Sequence, residues 1–284
     1  MTVLAADLPF AGRDAGPGWL VRGRWWLLFA AVVVLLMAAG PELAPNDPER
    51  GNMRLRLLAP SLDYPLGTDA AGRCLFSRLL AAFQVTPVAA AVAAGASLVL
   101  GALVGLGAAL AGGIADRIAM RVVDGILALP IVAVALVLSG IFGLGLRSVV
   151  IAIVALHWAD YARLLRNLVV AEQGKLHVLA ATALGCRPAA IVGRHILPAA
   201  LPALCVLFAW SLSWAVLTFA GLSFIGLGAA PGTPEFGLML AEARDHMRTH
   251  PHLILVPGIA VMALVIGLNL LSDRVRARLP GRLR

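Results

Sequence analysis

The chain has 284 residues, of which 61% are hydrophobic and only 13% are charged. A soluble domain of this length could not bury so much apolar surface, so the composition excludes an ordinary soluble fold and indicates a membrane protein. The net charge of +8 does not indicate a nucleic-acid-binding protein, because the basic residues lie between apolar runs and form no patch interleaved with aromatic residues.

Apolar windows long enough to cross a bilayer predict an all-α polytopic fold with six transmembrane helices. The predicted spans are residues 25–40, 85–111, 122–142, 144–162, 196–221 and 253–271. The first is the shortest and follows two arginines, so a signal-peptide hydrophobic region is the alternative. Trp25 and Trp26, as interface anchors, favour a true span. The remaining divisions are an N-terminal segment (1–24), an extracytoplasmic segment (41–84), a transmembrane core (85–272) and a basic tail (273–284).

Basic residues are distributed unequally between the two sides of the predicted spans. The N-terminal segment, the loops at residues 111–121 and 163–195, and the tail hold 15 of the 23 Lys and Arg residues. The loops on the other side hold eight, together with eight acidic residues. Because cytoplasmic loops carry an excess of Lys and Arg, we expect both termini to be cytoplasmic.

Small residues and helix breakers mark particular places in the spans. Gly101 and Gly105 have the Gly-x-x-x-Gly spacing that lets two membrane helices approach closely, so the second span is predicted to be central. Pro130, inside the third span, is expected to interrupt the helix. Open backbone is tolerated in a membrane only against protein or a water-filled cavity, so Pro130 is a candidate pathway residue, with an ordinary proline kink as the alternative.

Ionisable residues near the ends of the spans have two interpretations. The spacings Arg121 to Asp124 and Asp160 to Arg163 predict ion pairs within a helix at the membrane interface. His157 lies deeper, and ionisable groups at depth are functional candidates. We therefore expect His157 either to line a pathway or to form a hydrogen bond between helices.

Residues 177–204 lie between the fourth and fifth spans and read HVLAATALGCRPAAIVGRHILPAALPAL. The pattern predicts a short helix, a break at Gly185, a basic second piece and a Leu-Pro entry into the next span. This loop resembles the EAA loop of bacterial ABC importer permeases, in which two alanines, a later glycine and a Leu-Pro pair frame a coupling helix. The residues that this resemblance assigns to ATPase coupling are Leu179, Ala180, Ala181, Gly185, His195 and Pro198.

Three further motifs resemble the dipeptide, oligopeptide and nickel branch of that family. They are PLGTDAAGRCLFSRLL from Pro65, LSFIGLGAAPGTPEFG from Leu222 and LNLLSDRVRARL from Leu268. With the loop, they extend the resemblance from about residue 65 to the end of the chain. Two residues depart from the family pattern: Leu179 stands where a glutamate is usual, and Cys74 stands where an aspartate is usual.

The resemblance implies a type I ABC importer permease with a coupling loop at residues 177–195, located in the bacterial inner membrane. It also implies a second related permease, two cytoplasmic ATPase subunits that bind ATP and Mg, and an extracytoplasmic substrate-binding protein. The sequence contains no Gly-x-x-x-x-Gly-Lys-Ser/Thr motif, and its only lysine is Lys175, so nucleotide must be hydrolysed elsewhere. We expect no catalytic residue and no cofactor in this chain.

The class and the cargo have alternatives at this stage. A gradient-driven secondary transporter or channel is the rival class, for which inverted repeats or charges at mid-membrane are typical. The cargo is a peptide, or nickel or a metal chelate, or another small solute. The segment HMRTHPH places His246, His250 and His252 in one loop without a fixed metal-ligand spacing, so no metal site is predicted there.

Overall fold

The computed structural model describes residues 25–40 and 42–277, and the regular elements in these ranges are all helical. One isolated β-bridge joins Thr68 and Cys74. The predicted all-α fold is therefore confirmed. The predicted N-terminal segment 1–24 and residues 278–284 of the basic tail lie outside the described residues.

The described ranges contain ten α-helices. In chain order they are α1 (Trp25–Ala39), α2 (Leu75–Ala111), α3 (Gly113–Leu127), α4 (Ile131–Phe142), α5 (Leu146–Gln173), α6 (Leu176–Ala183), α7 (Pro188–Ile191), α8 (Leu197–Phe224), α9 (Phe236–Ala243) and α10 (His252–Ala277). Short 3₁₀ turns lie at Met53–Leu55 and Arg244–His246, and a wide π turn at Val192–Ile196 joins α7 to α8.

Four helices of the described chain are long and apolar enough to cross a bilayer. They are α2, α5, the continuous segment Pro188–Phe224 and the segment His252–Arg274. The helices α3 and α4 form a fifth candidate as a broken pair, and α1 contributes the shorter apolar helix Leu28–Ala39. The predicted count of six spans is compatible with this arrangement.

Several helix bounds differ from the sequence prediction. Helix α2 begins at Leu75 rather than at residue 85, and α5 continues to Gln173 rather than ending near residue 162. Both extensions carry polar side chains, and a span predicted from apolar residues alone ends where such side chains begin. In the structure these side chains find partners, so the helices continue: Arg78 in α2 and Glu172 in α5 are both buried in ion pairs.

The predicted third span is not one helix. Helix α3 ends at Leu127, α4 begins after Pro130, and the two axes are bent by 88°. Proline lacks the backbone N–H that would continue the ladder, and its ring clashes with the carbonyl four residues earlier. The predicted interruption at Pro130 is confirmed. We call residues 128–130 the elbow.

Helix α2 packs closely along α5, as the glycine spacing predicts. A Cβ atom at Gly101 would collide with the carbonyl oxygen of Trp158, and one at Gly105 would collide with the carbonyl oxygen of Ala162. Two small residues one turn apart therefore let the two backbones touch, which is how membrane helices gain packing energy when lipid competes for every apolar side chain.

Candidate functional site

The coupling loop predicted at residues 177–195 lies between α5 and α8, and the short helix α6 forms its first part. The helix ends in a Schellman motif, in which the N–H of Gly185 donates to the carbonyl of Thr182 at 3.0 Å and the N–H of Cys186 donates to the carbonyl of Ala181 at 3.1 Å. Gly185 has φ of +78°, a left-handed conformation that suits glycine and strains other residues. The predicted break at Gly185 is therefore present, and the glycine is required by the backbone.

The far side of α6 presents apolar side chains to the exterior. Leu176 is 85% exposed, Leu179 is 52% exposed and Leu184 is 84% exposed. Ala180 is also exposed, while Ala181 is half-buried. Three exposed leucines on so short a segment form an apolar surface of the kind that marks a protein contact.

One buried side chain and one acidic residue fix α6 to the rest of the protein. Val178 is buried in an apolar cluster with residues of α5 and α8. Glu172, at the end of α5 and 8% exposed, lies 2.6 Å from Nζ of Lys175 and 3.3 Å from Nε2 of His177. Glu172 was not identified from the sequence, although its position three residues before Lys175 is a recognisable helix-end pairing.

The second arm of the loop returns through α7 and the π turn to α8. The N–H of Leu197 donates to the carbonyl of Val192, five residues earlier, so the turn is one residue wider than an α-helical turn. This wide turn precedes Pro198, whose ring would otherwise crowd the carbonyl of Arg194. His195 lies on this arm with its ring centroid 5.6 Å from that of His177, so the two arms of the loop meet at these histidines.

Of the two candidate pathway residues, His157 lines a cavity, and the two neighbours of Pro130 in the chain line it as well. His157 and Trp214 are stacked with ring centroids 4.4 Å apart, and Nε2 of His157 lies 2.9 Å from Oγ of Ser211 in α8. The predicted hydrogen bond between helices is thus formed. A cavity of about 220 Å³ lies between these helices and the elbow. Its lining residues are Ile126, Leu127, Leu129, Ile131, Leu156, His157, Asp160 and Trp214, and Pro130 lies between two of them. A pathway role stays a prediction.

The predicted ion pairs within α3 and α5 are not formed. Asp124 of α3 accepts instead from Arg163 of α5 at 2.5 Å, and Asp160 lies 3.1 Å from Nδ1 of His157. The expected pairing of Asp124 with Arg121 and of Asp160 with Arg163 was wrong. The spacing of residues along one helix predicts ion pairs within that helix, but it does not predict pairs with a second helix that packs against the first.

At the opposite end of the molecule, three buried charged residues and the partly exposed Glu242 form a cluster that we call the outer ion network. Its members are Asp69, Arg73, Arg78 and Glu242. Arg73 Nε lies 2.7 Å from Asp69 and its Nη2 lies 2.8 Å from Glu242 of α9. Arg78 pairs with both of the same carboxylates, at 2.6 Å for Glu242, and its side chain is only 1% exposed. The network joins the segment before α2, α2 itself and α9.

The electrostatics of the outer ion network favour the ionised form of Asp69. Burial alone would raise the pKa of Asp69, but the hydrogen bond from the backbone N–H of Arg73 and the charges of Arg78 and Arg73 outweigh burial, so the pKa lies below its ordinary value. A cavity of about 420 Å³ adjoins the network. The sequence analysis placed Asp69, Arg73 and Arg78 in a family motif but did not predict that the two arginines pair with Glu242 of α9.

Glu235 caps α9 from a fully buried position beside this network. Its carboxylate accepts from the backbone N–H groups of Gly237 at 3.0 Å and Leu238 at 2.8 Å, and Oγ1 of Thr86 donates to it at 3.2 Å. Burial raises the pKa of Glu235 despite these hydrogen bonds. An acidic side chain at this position satisfies the free N–H groups of the first helical turn.

The histidine-rich loop lies between α9 and α10. His250 and His252 have ring centroids 6.1 Å apart. In the part of the chain that the structure describes, no group of three or more His, Cys, Asp or Glu side chains is arranged to hold a metal ion.

Comparison with known proteins gives a consistent assignment. Residues 73–284 match the family model described as binding-protein-dependent transport system inner membrane component. The nickel transport system permease protein NikC of Escherichia coli (strain K12) is 34% identical over 267 residues, which cover 93% of this chain and 96% of the relative. The glutathione transport system permease protein GsiD of Pectobacterium atrosepticum is 33% identical over 258 residues, covering 90% of this chain and 86% of the relative.

A solved structure supports the same fold. A chain of the MetNI methionine ABC transporter in an inward-facing conformation matches with a TM-score of 0.60 and 20% sequence identity. The match covers 70% of this chain and 95% of that chain. At this level of identity the likeness concerns the fold alone.

Proposed function

Because this chain belongs to the family of binding-protein-dependent transport system inner membrane components, we propose that it forms one half of a translocation pathway whose other half is a second, related permease. Members of the family are permease subunits of ABC importers, multi-pass proteins of the inner membrane that work with ATPase subunits and a substrate-binding protein. This membership decides against the gradient-driven alternative. In the proposed assembly, two cytoplasmic ATPase subunits bind ATP and Mg, and one binding protein delivers the cargo from outside.

The coupling loop is the observation that carries the proposed contact with the ATPase subunits. Its helix α6 is short, exposed and apolar, and it ends at a glycine with a positive φ. An exposed apolar helix on a rigid support is suited to enter a cleft on another protein. Leu179, Ala180 and Ala181 would enter that cleft, Gly185 would turn the chain, and His195 and Pro198 would hold the returning arm.

Leu179 changes the chemistry of this contact. The glutamate that is usual in related loops could form a salt bridge with an ATPase residue, whereas Leu179 contributes apolar area. A leucine side chain that becomes fully buried contributes about 1.5–3 kcal/mol. Burial of Leu179 would therefore stabilise the docked loop without a salt bridge.

The connection of α6 to α5 supports a mechanism for the transport cycle. Closure of the ATPase dimer on ATP would displace the coupling loop, and Glu172 and Val178 would transmit that displacement to α5. Helix α5 carries His157 at the elbow cavity, so a shift of α5 would change the packing there. We propose that Pro130 and His157 border the pathway, which opens alternately to the two sides through rigid-body movement.

The contact is tested by the substitution Ala180→Asp, which places a charge on the exposed side of the docking helix. Its control is Ala59→Asp, the same change at an exposed position of the segment between α1 and α2. We expect Ala180→Asp to reduce both copurification of the ATPase subunits and transport, with membrane insertion retained, while the control behaves as the parent. Full transport and full copurification by Ala180→Asp would contradict the assignment.

The proposed orientation places both termini and the coupling loop in the cytoplasm, and the outer ion network outside. The charge asymmetry between the loops supports it. In intact cells, a membrane-impermeant thiol reagent should label Asp63→Cys but not Lys175→Cys, both in a background with Cys186 and Cys205 replaced by serine. Asp63 and Lys175 are both exposed in the structure, so burial does not limit the reaction of a cysteine at either position. Labelling of Lys175→Cys from outside would contradict the proposed orientation.

The relatives support two cargo classes, nickel for NikC and glutathione, a tripeptide, for GsiD. We infer that this permease carries a peptide, or nickel or a metal chelate. The measurement is uptake in a strain that lacks this chain, compared with the same strain complemented with it. Loss of nickel accumulation with intact peptide utilisation assigns the metal, and the reverse pattern assigns the peptide. Loss of neither would contradict both cargo classes.

A further inference from the structure

Asp160 lies in the middle of α5 rather than at the membrane interface, where the sequence placed it. Helix α5 is apolar enough to cross a bilayer and, at 1.5 Å per residue, is about 42 Å long. The hydrocarbon core of a bilayer is about 30 Å thick, which corresponds to about 20 residues of helix. Any such stretch of α5 includes both His157 and Asp160. The structure thus places a carboxyl group and an imidazole within the membrane-spanning part of this helix.

The carboxylate of Asp160 has a single polar contact within the described chain. Its Oδ2 lies 3.1 Å from Nδ1 of His157, and no other described residue donates to the carboxylate. Arg163, three residues further along α5, pairs with Asp124 of α3 instead. A carboxylate inside a membrane is costly unless a group of opposite charge is close, so such residues mark ion and ligand sites. Asp160 is therefore able to accept a positively charged partner.

The ring of His157 is held in one orientation by its neighbours. It stacks on Trp214 at 4.4 Å between ring centroids and meets the edge of Tyr161 at 5.6 Å. Its Nε2 lies 2.9 Å from Oγ of Ser211, and the whole residue is 3% exposed. Because α8 and the next turn of α5 fix the ring, Nδ1 stays directed at Asp160. A pair that is preorganised in this way loses little conformational entropy when it binds a ligand.

The hydrogen bonds around Ser211 assign the proton of the imidazole. The hydroxyl of Ser211 has one proton, which it donates to the carbonyl of Leu207 at 2.8 Å, so Nε2 of His157 donates to Ser211. In the neutral ring, Nδ1 is then an acceptor and faces a second acceptor, Oδ2 of Asp160, at 3.1 Å. Two acceptors at this distance repel each other unless a positive charge lies between them. When no ligand is present, a second proton on the ring can supply that charge.

The pair opens onto the elbow cavity of about 220 Å³. Asp160 and His157 are the two ionisable residues of its lining, and the other lining residues are leucines, isoleucines and Trp214. The side chain of Asp160 is 44% exposed, whereas that of His157 is 2% exposed, so the carboxylate is the more accessible group. Apolar walls strengthen the attraction between a carboxylate and a cation, because they lower the local dielectric constant. The cavity is therefore suited to a positively charged group.

The spacing of the two acceptors fits a divalent metal ion. Neighbouring ligands of an octahedral ion lie about 3 Å apart when each is about 2.1 Å from the ion, and Nδ1 and Oδ2 are 3.1 Å apart. In the part of the chain that the structure describes, no third His, Cys, Asp or Glu completes a metal site. Two protein ligands bind an ion weakly, which suits a site that must also release it. An ammonium group fits the same acceptors through charge-assisted hydrogen bonds.

We propose that Asp160 and His157 form a transit site for the positive charge of the cargo, either a divalent metal ion or the ammonium group of a peptide. The inference rests on the proposed function, in which His157 borders the pathway, and it adds the chemical class that the pathway accepts. Asp160 supplies the negative charge, and His157 supplies the second acceptor. Because a charge is costly to carry through hydrocarbon, the site lowers the barrier to transit.

The test measures transport of nickel ions and of a dipeptide into proteoliposomes that contain this permease and its partner subunits. Asp160→Asn should slow transport of the cargo about tenfold, since a hydrogen bond to a charged group contributes at least about that factor. Asp160→Glu keeps the charge and should transport faster than Asp160→Asn. The control is Asp124→Asn, which removes the same charge from a residue that does not line the cavity and should transport as the parent.

His157→Gln distinguishes the two kinds of cargo. It should slow nickel transport as Asp160→Asn does, because a metal ion loses a ligand, whereas transport of an ammonium group needs mainly the carboxylate. Equal transport by Asp160→Asn and the parent would overturn the transit site and leave the proposed function intact. Loss of the second permease from the purified Asp160→Asn complex would also overturn it, by showing that another protein completes the carboxylate. A parent complex that transports neither cargo would contradict the proposed function together with the site.

Discussion

The outer ion network and the coupling loop lie at opposite ends of the molecule and differ in what completes them. In the network, two buried arginines pair with one buried and one partly exposed carboxylate, and each charge has its partner within the chain. In the coupling loop, three leucines are exposed and have no apolar partner on their outer side. The charges at one end are therefore satisfied within the chain, whereas the other end presents the apolar surface for which we propose a second protein.

This difference predicts that substitutions at the two ends will fail in different ways. Loss of a buried charge leaves its partners desolvated and unpaired, which lowers the stability of the permease itself. Changes in the coupling loop lower association and coupling, because its interactions within the chain are few. Unfolding of the purified permease, ATPase copurification and transport per ATP hydrolysed separate the two outcomes.

The largest expected effect is that of Arg78→Ala. Its side chain is 1% exposed and pairs with Asp69 and Glu242, so its removal leaves Arg73 as the remaining cation of the network for two carboxylates. Breaking a buried pair in this way costs about 3–5 kcal/mol. Denaturant unfolding of the purified permease measures the change, and Arg50→Ala, at an exposed position, is the control with an expected change below about 0.5 kcal/mol. Equal stability of the two variants would show that the network does not hold the outer end together.

The next effect is that of Gly185→Val. Because φ at this residue is +78°, a β-branched side chain strains the turn by about 1–3 kcal/mol. We expect α6 to lose its C-terminal cap, so copurification of the ATPase subunits falls more than permease stability does. Gly193→Val is the matched control in the same loop, since Gly193 lies in the π turn with open space around it and no positive φ. The prediction fails if both variants associate equally with the ATPase subunits.

Substitution of Glu235 should change the stability of the permease by a smaller amount, and Glu235 should make that stability depend on pH. Glu235→Ala removes the cap of α9 and should cost about 0.5–2 kcal/mol, whereas Glu235→Gln keeps an oxygen acceptor and should cost less. Because burial raises the pKa of Glu235, its ionisation opposes the fold, so stability falls as the pH rises through that raised pKa. Unfolding measured from acidic to neutral pH should show this fall in the parent and a weaker one in Glu235→Gln. Identical pH profiles would contradict the proposed titration.

The same comparison explains which features could be predicted from the sequence. The spans, the glycine contact of α2 with α5, the break at Pro130 and the turn at Gly185 follow from local patterns, because composition, helix sterics and φ preferences act within a few residues. The partners of Arg78, Asp124 and Glu172 do not follow, since each lies on another element or depends on how far a helix continues. The 88° bend was also not predicted, because proline indicates where a helix breaks but not the angle that packing then imposes.

The smallest expected change in stability is that of Glu172→Gln, which tests whether the coupling loop is attached through charge. Glu172 is nearly buried, but Lys175 and His177 are about half-exposed, so solvent screens the pairs and their loss should cost no more than about 1 kcal/mol. Glutamine keeps the shape of the side chain and removes the attraction that orients α6 on α5. We therefore expect near-normal unfolding and ATPase association but less substrate transported per ATP hydrolysed in proteoliposomes. Glu49→Gln, at an exposed position of the segment between α1 and α2, is the control. An unchanged transport-to-hydrolysis ratio in Glu172→Gln would assign the attachment of α6 to Val178 and the apolar cluster alone.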